Sequence, residues 1–386
     1  MAVCGVIAEY DPFHRGHERH LRLAREASGA DHVVVVMSSS FTQRGLPALL
    51  PAHARAEMAL LCGADAVVQL PYAFSVREAE YFALGGVSIL HGLGCVTHLS
   101  FGCETADIGL LTRAAALLDT PDEQMTASLQ AGLHQGLSYA AAQGRAVEKR
   151  LCLPRGALDA PNTALALCYL RALRRLGSKM IPVAILREGD YRASELAAFP
   201  SSSALRGAIL RGDWAGVAAG VPEKALPVLR RAVAEGICPP DGLDTALRQV
   251  LLTAAPEEIA RWPGIAEGLE DRILKATQTA VSREALITQV KTRRYTRGRI
   301  SRALCHGLMG VTRSDLPALP ACARLLGFRE SARPLVRQME KSGFPLYSRP
   351  AREPQSALDA RADDLWRIGA GLPRGDTYRR APVIVP

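Results

Sequence analysis

Five short apolar segments rich in β-branched residues alternate with helical stretches in the first two hundred residues, and this alternation restricts the fold most strongly. The predicted strands are Val3–Ala8, His32–Met37, Ala66–Leu70, His98–Phe101 and Ile181–Leu186. Such continuous apolar runs are typical of strands buried on both faces of a parallel sheet. The predicted helices between them are His17–Ala27, Pro51–Leu61, Arg77–Leu90 and Thr163–Arg175. This order predicts a doubly wound, Rossmann-like α/β sheet whose ligand binds beyond the carboxyl ends of the strands.

The chain is 386 residues long, which is enough for two or three domains. We predict a first domain over residues 1–215, with a helical insertion at about 107–153 between the fourth and fifth strands. From residue 222 onward the strand signal fades and proline breaks separate successive helical stretches. This predicts an all-α C-terminal domain over 222–350 and a poorly packed tail over 351–386, rich in Pro, Arg and Gly.

The formal net charge of +9 is concentrated in one segment. Residues 281–350 contain 14 Lys and Arg against 4 Asp and Glu, which leaves 33 basic and 34 acidic residues for the rest of the chain. A localised basic excess indicates a nucleic-acid-binding module. The alternative is a basic solvated surface without a polyanionic partner.

Cysteine usage and hydropathy indicate a cytoplasmic protein. The nine cysteines are odd in number and include no CxxC pair, which favours free thiols in a reducing compartment over disulfides or a zinc site. No run of eighteen apolar residues predicts a membrane span. The first residues predict a β-strand, not a signal peptide.

The turn after the first strand has the sequence Glu9-Tyr10-Asp11-Pro12-Phe13-His14-Arg15-Gly16-His17. It leads from a buried strand into a helix, whose free N–H groups and dipole form an anion site. Gly16 lets the backbone approach a phosphate, and one helical turn separates His14 from His17. Two imidazole donors at this position would stabilise charge that develops on a phosphate. The alternatives are a structural histidine pair and a metal-binding pair, for which no third ligand follows at the usual spacing.

This string resembles the HxGH signature of the nucleotidyltransferase superfamily, which includes class I aminoacyl-tRNA synthetases and pantetheine- or nicotinate-mononucleotide adenylyltransferases. The superfamily carries a second motif of the form S-S/T-x-x-R. Here Phe199-Pro200-Ser201 leads into Ser202-Ser203-Ala204-Leu205-Arg206 at the start of a helix predicted at Ser203–Arg211. The resemblance implies that Ser202, Ser203 and Arg206 contact phosphates.

A narrower resemblance extends along most of the chain. The segments that carry it are Glu9-Tyr10-Asp11-Pro12-Phe13-His14, Met37-Ser38, Gln43-Arg44-Gly45, Arg55-Ala56-Glu57-Met58-Ala59, Phe101-Gly102-Cys103-Glu104, Pro161-Asn162 and Lys291-Thr292-Arg293-Arg294-Tyr295-Thr296. Together they resemble the bacterial tRNA(Met) cytidine acetate ligase family. The resemblance implies that ATP and acetate, with Mg²⁺, form acetyl-adenylate without acetyl-CoA. The acetyl group then passes to N4 of the wobble cytidine of elongator tRNA(Met).

Carried over by position, the resemblance assigns catalysis to His14 and His17. It implies that ATP is bound by Ile7, Ala8, Glu9, Tyr10, Asp11, Pro12, Phe13, Arg15, Gly16, His20, Gly102, Asn162 and Arg187. Arg44 is a candidate for the acetate carboxylate. The chain departs from the family pattern at Asp11, where Asn is usual, at Arg15, where a small polar residue is usual, and at Ser38-Ser39-Ser40, which replaces Ser-Gly-Asn.

The segment from Lys291 to Arg299 groups five basic residues around one tyrosine. Arginines and lysines in such a cluster can bind phosphates, and an aromatic ring can stack on an unpaired base. The predicted tRNA contacts are Lys291, Arg293, Arg294, Tyr295, Arg297 and Arg299. The alternative is the start of a basic amphipathic helix without an RNA partner.

Two other functions fit the same motifs. A small-molecule adenylyltransferase would transfer AMP and keep it on the product, although it has little need for a basic C-terminal extension. A non-catalytic RNA-binding protein would retain the nucleotide fold without turnover. Neither a membrane nor a protein partner is expected.

Overall fold

A computed structural model of the chain describes residues 1–137, 139–187, 201–349, 353–375 and 380–386. Within these residues eight strands form: β1 (Val3–Ala8), β2 (His32–Ser38), β3 (Ala66–Leu70), β4 (His98–Cys103), β5 (Ile181–Leu186), β6 (Ala323–Arg329), β7 (Leu346–Tyr347) and β8 (Val383–Val385). The five strands predicted from the sequence are all present. Two of them extend beyond the predicted carboxyl end, β2 by one residue and β4 by two.

Before β5, the described residues form eight helices. They are α1 (Arg15–Ser28), α2 (Ala52–Leu61), α3 (Tyr72–Ser75), α4 (Ala79–Gly92), α5 (Ile108–Asp119), α6 (Glu123–His134), α7 (Tyr139–Arg150) and α8 (Pro161–Arg175). Helices α5 to α7 occupy the stretch where the helical insertion is predicted.

Ten further helices follow in the described part of the chain. They are α9 (Ser202–Leu210), α10 (Trp214–Gly220), α11 (Leu226–Glu235), α12 (Asp244–Thr253), α13 (Pro256–Ile259), α14 (Leu269–Thr277), α15 (Arg283–Val290), α16 (Arg297–Leu308), α17 (Arg333–Glu340) and α18 (Pro354–Gly369), with short 3₁₀ turns at Arg313–Asp315 and Glu330–Ala332. No helix among the described residues is long and apolar enough to span a membrane.

The strands form one mostly parallel sheet in the order β5-β4-β1-β2-β3-β6-β7, with β8 also paired to β6. Strand β1 lies between β2 and β4 and is parallel to both. The chain therefore crosses over in opposite directions on the two sides of β1. Such a switch point opens a crevice at the carboxyl ends of the strands, where ligands of open α/β sheets bind.

Strand β2 shows why these residues form a central strand. Its four consecutive valines are fully buried, and alternate ones belong to different apolar clusters: Val34 and Val36 to one, Val33 and Val35 to the other. Successive side chains of a strand point to opposite faces, so both faces of the sheet are covered. Full burial of one such side chain is worth roughly 1.5–3 kcal/mol.

The C-terminal region is not all-α, and this part of the sequence-based expectation is wrong. Strand β6 pairs antiparallel with β3, and β8 pairs with β6, so residues from the last third extend the first-half sheet. The run in β6 carries Arg324 and Arg329, which weaken its apolar pattern. Arg324 is nevertheless buried. Pairing with a strand more than 250 residues away gives no local signal in the sequence.

The tail is packed within its described residues, contrary to the expectation for 351–386. Helix α18 buries Trp366, whose indole N–H donates to the Ala48 carbonyl at 2.5 Å. The Pro- and Gly-rich composition gave a wrong expectation because the packing of this segment depends on contacts with residues distant in sequence, such as Ala48. The division into domains at 1–215 and 222–350 stays a prediction.

The nine cysteines are free thiols, and seven of them are buried. This arrangement agrees with the expectation from their number and spacing.

Candidate active site

The turn between β1 and α1 is built on two buried aromatic side chains. Tyr10 and Phe13 are at most 2% exposed, and Tyr10 adopts a φ of 50°. The ring centroids of both lie close to that of His17, at 4.7 Å for Tyr10 and 5.6 Å for Phe13. Tyr10 and Phe13, both predicted ATP contacts, therefore pack against the ring of His17 and orient it. Pro12, which lies between them in the sequence, is buried as well.

His14 is the N-cap of α1 and forms a reciprocal pair with His17. The Gly16 N–H donates to His14 Nδ1 at 3.1 Å, and the His14 N–H donates to His17 Nδ1 at 3.3 Å. In a neutral imidazole, a ring nitrogen that accepts a hydrogen bond carries no proton, so the proton lies on the other nitrogen. Both rings therefore present Nε2–H as a donor.

The two imidazoles stack with 3.6 Å between their centroids. Burial, together with the charge of Arg187, lowers the pKa of His14 to about 3. Burial also lowers the pKa of His17 well below its ordinary value, with added repulsion from His14, Arg187 and His20. Among the described residues no hydrogen bond joins either Nε2 atom to a partner, and His17 is only half-buried. The pair thus offers two neutral donors that a ligand can reach.

Gly16 has a local steric role. A Cβ at this position would lie 2.9 Å from Cε1 and 3.0 Å from Nδ1 of His14. Only glycine leaves room for the His14 ring to cap the helix. This steric reason for glycine is additional to the one inferred from the sequence, which is the close approach of a phosphate.

Gly102, Asn162 and Arg187 come together beside this turn, as the resemblance implies. Gly102 lies inside β4, not after it, and the Arg187 side chain crosses its face, 3.2 Å from a Cβ built there. Arg187 Nη1 donates to Asn162 Oδ1 at 3.2 Å. The Arg187 charge acts on His14, His17 and His20, so the guanidinium of Arg187 lies close to all three histidines.

Glu104 is a site residue that sequence reasoning named only as part of a family motif. Its carboxylate accepts from Asn162 Nδ2 at 2.6 Å and from the Thr163 N–H at 2.7 Å, and so caps α8. Partial burial would raise the pKa of Glu104, but these hydrogen bonds outweigh it and lower the pKa. Asn162 is therefore in the first turn of α8 and held by Glu104. It does not cap the helix itself.

His20 lies one turn beyond His17 on α1. Its Nε2 is 3.2 Å from Ser100 Oγ on β4, and burial lowers its pKa to about 4. This contact ties α1 to the strand on the far side of the switch point.

Asp11 links the turn to the second motif. Arg206 Nη1 donates to the Asp11 carbonyl at 2.6 Å and to Asp11 Oδ2 at 3.2 Å, and the Leu49 N–H donates to Asp11 Oδ1 at 2.7 Å. The aspartate that departs from the family pattern thus gives Arg206 a charged partner. Arg206, which is predicted to contact phosphate, is therefore held at the turn by a residue 195 positions earlier in the sequence.

The serines of the second motif differ from the prediction in one respect. Ser201, not Ser202 or Ser203, caps α9, since its Oγ accepts from the Ala204 N–H at 3.2 Å. Ser202 and Ser203 are in the first turn of α9, and both are solvent-accessible. Phe199 and Pro200 lie outside the described residues.

Arg55 is a buried residue under the site whose role sequence reasoning missed. It is 0% exposed, and its guanidinium donates to backbone carbonyls of Glu9, Ser38, Ser39 and Leu50. One arginine therefore ties the ends of β1 and β2 to the start of α2. The sequence named Arg55 only as part of a family segment, in a predicted helix that also contains His53 and Glu57.

The β2–α2 loop, residues 39–51, lies against the turn. The Gln43 N–H donates to Glu9 Oε1 at 2.6 Å. Burial raises the pKa of Glu9, and the hydrogen bond from Gln43 opposes this effect. The charge of the exposed Arg44 also acts on Glu9, which places the predicted acetate residue near the end of β1. Ser40 is one of the three serines that replace the family pattern, and its Oγ donates to Asp363.

Ile7 and Ala8 end β1 at the crevice, and the Ile7 side chain fills space left by Gly86, which has no Cβ. The Arg15 side chain lies apart from the cluster. Its Nε donates to the Ala219 carbonyl at 2.9 Å, and the residue is exposed, so the contact of Arg15 with a nucleotide stays a prediction.

The basic segment near residue 295 is less open than its sequence indicates. Tyr295 is 6% exposed and donates its hydroxyl to the Glu267 carbonyl at 2.6 Å, so the prediction that its ring stacks on a base does not hold in this structure. Arg294 pairs with Glu267, and Arg297 pairs with Glu284. Arg299 Nε donates to the Gly264 carbonyl at 2.6 Å. Lys291 and Arg293 are exposed.

The arrangement can bind and polarise a polyphosphate. A helix N-terminus, two neutral Nε2–H donors and the Arg187 guanidinium lie at the crevice formed by the switch point. Such preorganised donors act where negative charge develops on a transferring group.

Comparisons with known proteins agree with this geometry. The model of the family described as HIGH Nucleotidyl Transferase matches residues 1–375. The tRNA(Met) cytidine acetate ligase of Acetivibrio thermocellus is 37% identical over 364 residues, which cover 90% of this chain and 88% of that protein. The protein of the same name from Syntrophotalea carbinolica is 38% identical over 342 residues, covering 85% and 80%.

Solved structures match over the full length. Thermotoga maritima TmcAL in its apo form gives a TM-score of 0.94 at 27% identity, with all of both chains covered. The same protein bound with alpha-thio ATP gives a TM-score of 0.91. The α/β nucleotidyltransferase fold predicted from the sequence is thereby confirmed. The chain belongs to the HIGH nucleotidyl transferase family and, within it, to the group of the tRNA(Met) cytidine acetate ligases.

Proposed function

We propose that this protein uses ATP to activate acetate as acetyl-adenylate and transfers the acetyl group to N4 of the wobble cytidine of elongator tRNA(Met). The observation that carries the proposal is the His14–His17 pair, whose Nε2–H donors are neutral and accessible at the start of α1. The names of the relatives give the acyl group and the acceptor.

In the first step, an acetate oxygen attacks the α-phosphorus of ATP. The O–P bond forms, the bond to the β-phosphate oxygen breaks, and pyrophosphate leaves. Nε2–H of His14 and His17 donates to the oxygens on which charge accumulates, and Arg187 faces the same group. No covalent enzyme intermediate is required. Loss of one such donor costs roughly 10²–10³ in rate.

Mg²⁺ would spread the charge of the leaving pyrophosphate. Among the described residues there is no cluster of three His, Cys, Asp or Glu side chains that could hold a metal ion. Mg²⁺ usually keeps several waters and binds through substrate phosphates. The ion would therefore enter with the nucleotide, held by phosphate oxygens.

The acetate carboxylate would be oriented by Arg44. Its guanidinium is exposed on the β2–α2 loop, and its charge acts on Glu9 at the end of β1. A cation at this position can meet a small anion that approaches the α-phosphate.

In the second step, the N4 amine attacks the acetyl carbon. The C–N bond forms, AMP leaves with the electron pair of the C–O bond, and a proton is lost from nitrogen. The cytidine has to leave its stack to reach the mixed anhydride. Lys291, Arg293, Arg294, Arg297 and Arg299 would bind the RNA backbone, with the exposed Lys291 and Arg293 contributing most. The site of action of such an enzyme is the cytoplasm.

One assay tests the proposal. The protein is incubated with ATP, Mg²⁺ and acetate, with and without tRNA, while pyrophosphate, AMP and N4-acetylcytidine are measured. We expect pyrophosphate only with acetate, and N4-acetylcytidine only with tRNA. AMP transfer that is independent of acetate would instead identify a small-molecule adenylyltransferase, and RNA binding without pyrophosphate would identify a non-catalytic protein.

A further inference from the structure

Arg302 on α16 lies at the junction between the basic helices and the candidate active site. Its backbone packs directly on Gly45 of the β2–α2 loop, where a Cβ would come within 2.7 Å of Arg302 Cα. Gly45 has a φ of 69°, which favours glycine. Two residues earlier in the same loop, Gln43 donates to Glu9. The backbone of Arg302 therefore contacts the same loop that is hydrogen-bonded to the turn between β1 and α1.

The loop is bonded firmly to this part of the RNA-binding region. Ser301 Oγ donates to the Arg44 carbonyl at 2.6 Å. Arg283, which is buried, donates to the carbonyls of Gly45 and Ser301. The position of Arg302 relative to the active site is thus fixed by several hydrogen bonds.

The guanidinium of Arg302 differs from its basic neighbours. Arg294 and Arg297 are paired with glutamates, and Arg299 donates to a carbonyl. Arg302 has no hydrogen bond or ion pair within 4 Å among the residues that the structure describes, although it is only partly exposed. A partly desolvated guanidinium without a partner is unfavourable, and an anion relieves that cost.

The surroundings of Arg302 are basic as well. The charges of Arg302 and Arg77 both act on the buried His306, and the charge of Arg299 acts on Arg302. Within the part of the chain that the structure describes, the carboxylate that acts on Arg302 is that of Glu78. Arg77 lies over the Tyr81 ring, 3.3 Å from its centroid, so its guanidinium is held in place. Three cations against one carboxylate favour a phosphate over a neutral ligand.

We propose that Arg302, with Arg77 and Arg299 beside it, binds the RNA backbone phosphate next to the nucleotide that enters the active site. This inference rests on the proposed function and deepens it. It adds a phosphate contact by Arg302, which lies beyond the basic segment from Lys291 to Arg299. An acceptor base that leaves its stack needs its flanking backbone held close to the reacting carbonyl. Arg302 packs against the loop that borders the turn between β1 and α1.

The test compares Arg302→Gln with the matched control Arg333→Gln. Arg333 also lies in the basic range 281–350, but its Nε donates to Glu330 at 2.6 Å. Affinity for tRNA(Met) is measured at several KCl concentrations, together with the rate of acetyl transfer from preformed acetyl-adenylate at saturating tRNA. Arg302→Lys is included as a conservative variant. Thermal melting and the affinity for ATP are measured for every variant.

Arg302→Gln should weaken tRNA binding about 10-fold or more, because charge-assisted hydrogen bonds are the strong ones. The slope of log affinity against log salt should fall by about 0.7–0.9, the value for one phosphate contact. The transfer rate at saturating tRNA should fall as well, since the contact flanks the reacting nucleotide. Arg302→Lys should recover part of both, and Arg333→Gln should match the wild type within about twofold.

Several results would overturn the proposal. They are an unchanged salt slope in Arg302→Gln, an equal loss in Arg333→Gln, and a loss of ATP affinity that assigns Arg302 to the nucleotide instead. If the wild type makes acetyl-adenylate and N4-acetylcytidine while Arg302→Gln behaves normally, only this inference fails. If the wild type makes neither product, the proposed function itself fails.

Discussion

His14 and His17 share one protonation state because a backbone N–H group at the start of α1 donates to Nδ1 of each ring. The His14 N–H donates to His17 Nδ1, and the Gly16 N–H donates to His14 Nδ1, so both rings are held as Nε2–H tautomers. Their stacking keeps the two donors side by side. Because the pKa of each ring is lowered, the pair stays neutral and acts by donating hydrogen bonds, not by carrying charge.

His14→Asn should separate folding from catalysis. Asparagine is a good N-cap, and its Oδ1 can replace the Nδ1 acceptor, but it has no donor at the position of Nε2. We expect thermal stability close to that of the wild type and a loss of roughly 10²–10³ in acetate-dependent ATP–pyrophosphate exchange. His14→Ala, which loses the cap as well, should cost about 1 kcal/mol of stability in addition. Full activity of His14→Asn would show that the donor is not used.

Gly16→Ala should displace the His14 ring by a steric clash. The new methyl group would lie 2.9 Å from His14 Cε1, so the ring has to leave its capping position. We expect a substantial loss of turnover with tRNA affinity unchanged. The control is Gly144→Ala in α7, where a Cβ meets nothing closer than 3.8 Å. That change should leave turnover intact. Equal turnover of both variants would contradict the steric role of Gly16.

Arg55→Lys should destabilise the protein more than the loss of any surface ion pair. A lysine cannot reach the several carbonyls that the Arg55 guanidinium contacts, and each buried carbonyl left without a partner costs about 1–3 kcal/mol. Urea unfolding should show a loss of about 3 kcal/mol or more. Arg231→Gln, which removes an ion pair on the outer side of α2, should cost less than about 1 kcal/mol. Similar losses in the two variants would rule out this role.

Stability should fall as the pH drops below about 6.5, partly because of His53. This side chain is 6% exposed, and burial lowers its pKa to about 3. Between the two pKa values the unfolded chain binds the additional proton, so the contribution of His53 is complete above pH 6.5 and is lost as the pH falls toward 3. His53→Gln should therefore lose roughly 2 kcal/mol less than the wild type between pH 7 and pH 5. Parallel curves from urea unfolding would refute the assignment.

The sequence was sufficient for the elements whose signal is local. The buried valines of β2 and the glycine-histidine turn after β1 predicted a doubly wound sheet and its ligand edge. Residues whose role depends on partners far away were not predictable. Strand β6, the capping carboxylate of Glu104 and the buried Arg55 each act through contacts with segments distant in sequence.

The basic segment shows the opposite error. Its composition indicated an open RNA-binding surface, but Tyr295 is buried, and Arg294 and Arg297 are already paired. Charge counts do not distinguish cations that are neutralised by neighbours from those that are available. Arg302, which lies one helical turn after Arg299 on α16, was not among the tRNA contacts predicted from the motif.

The measurement that most directly tests the role of the imidazole pair is acetate-dependent ATP–pyrophosphate exchange by His17→Ala, with tRNA affinity determined on the same preparation. The exchange rate should fall by roughly 10²–10³ while tRNA binding stays within about twofold of the wild type. Exchange at the wild-type rate would contradict a catalytic role for these rings.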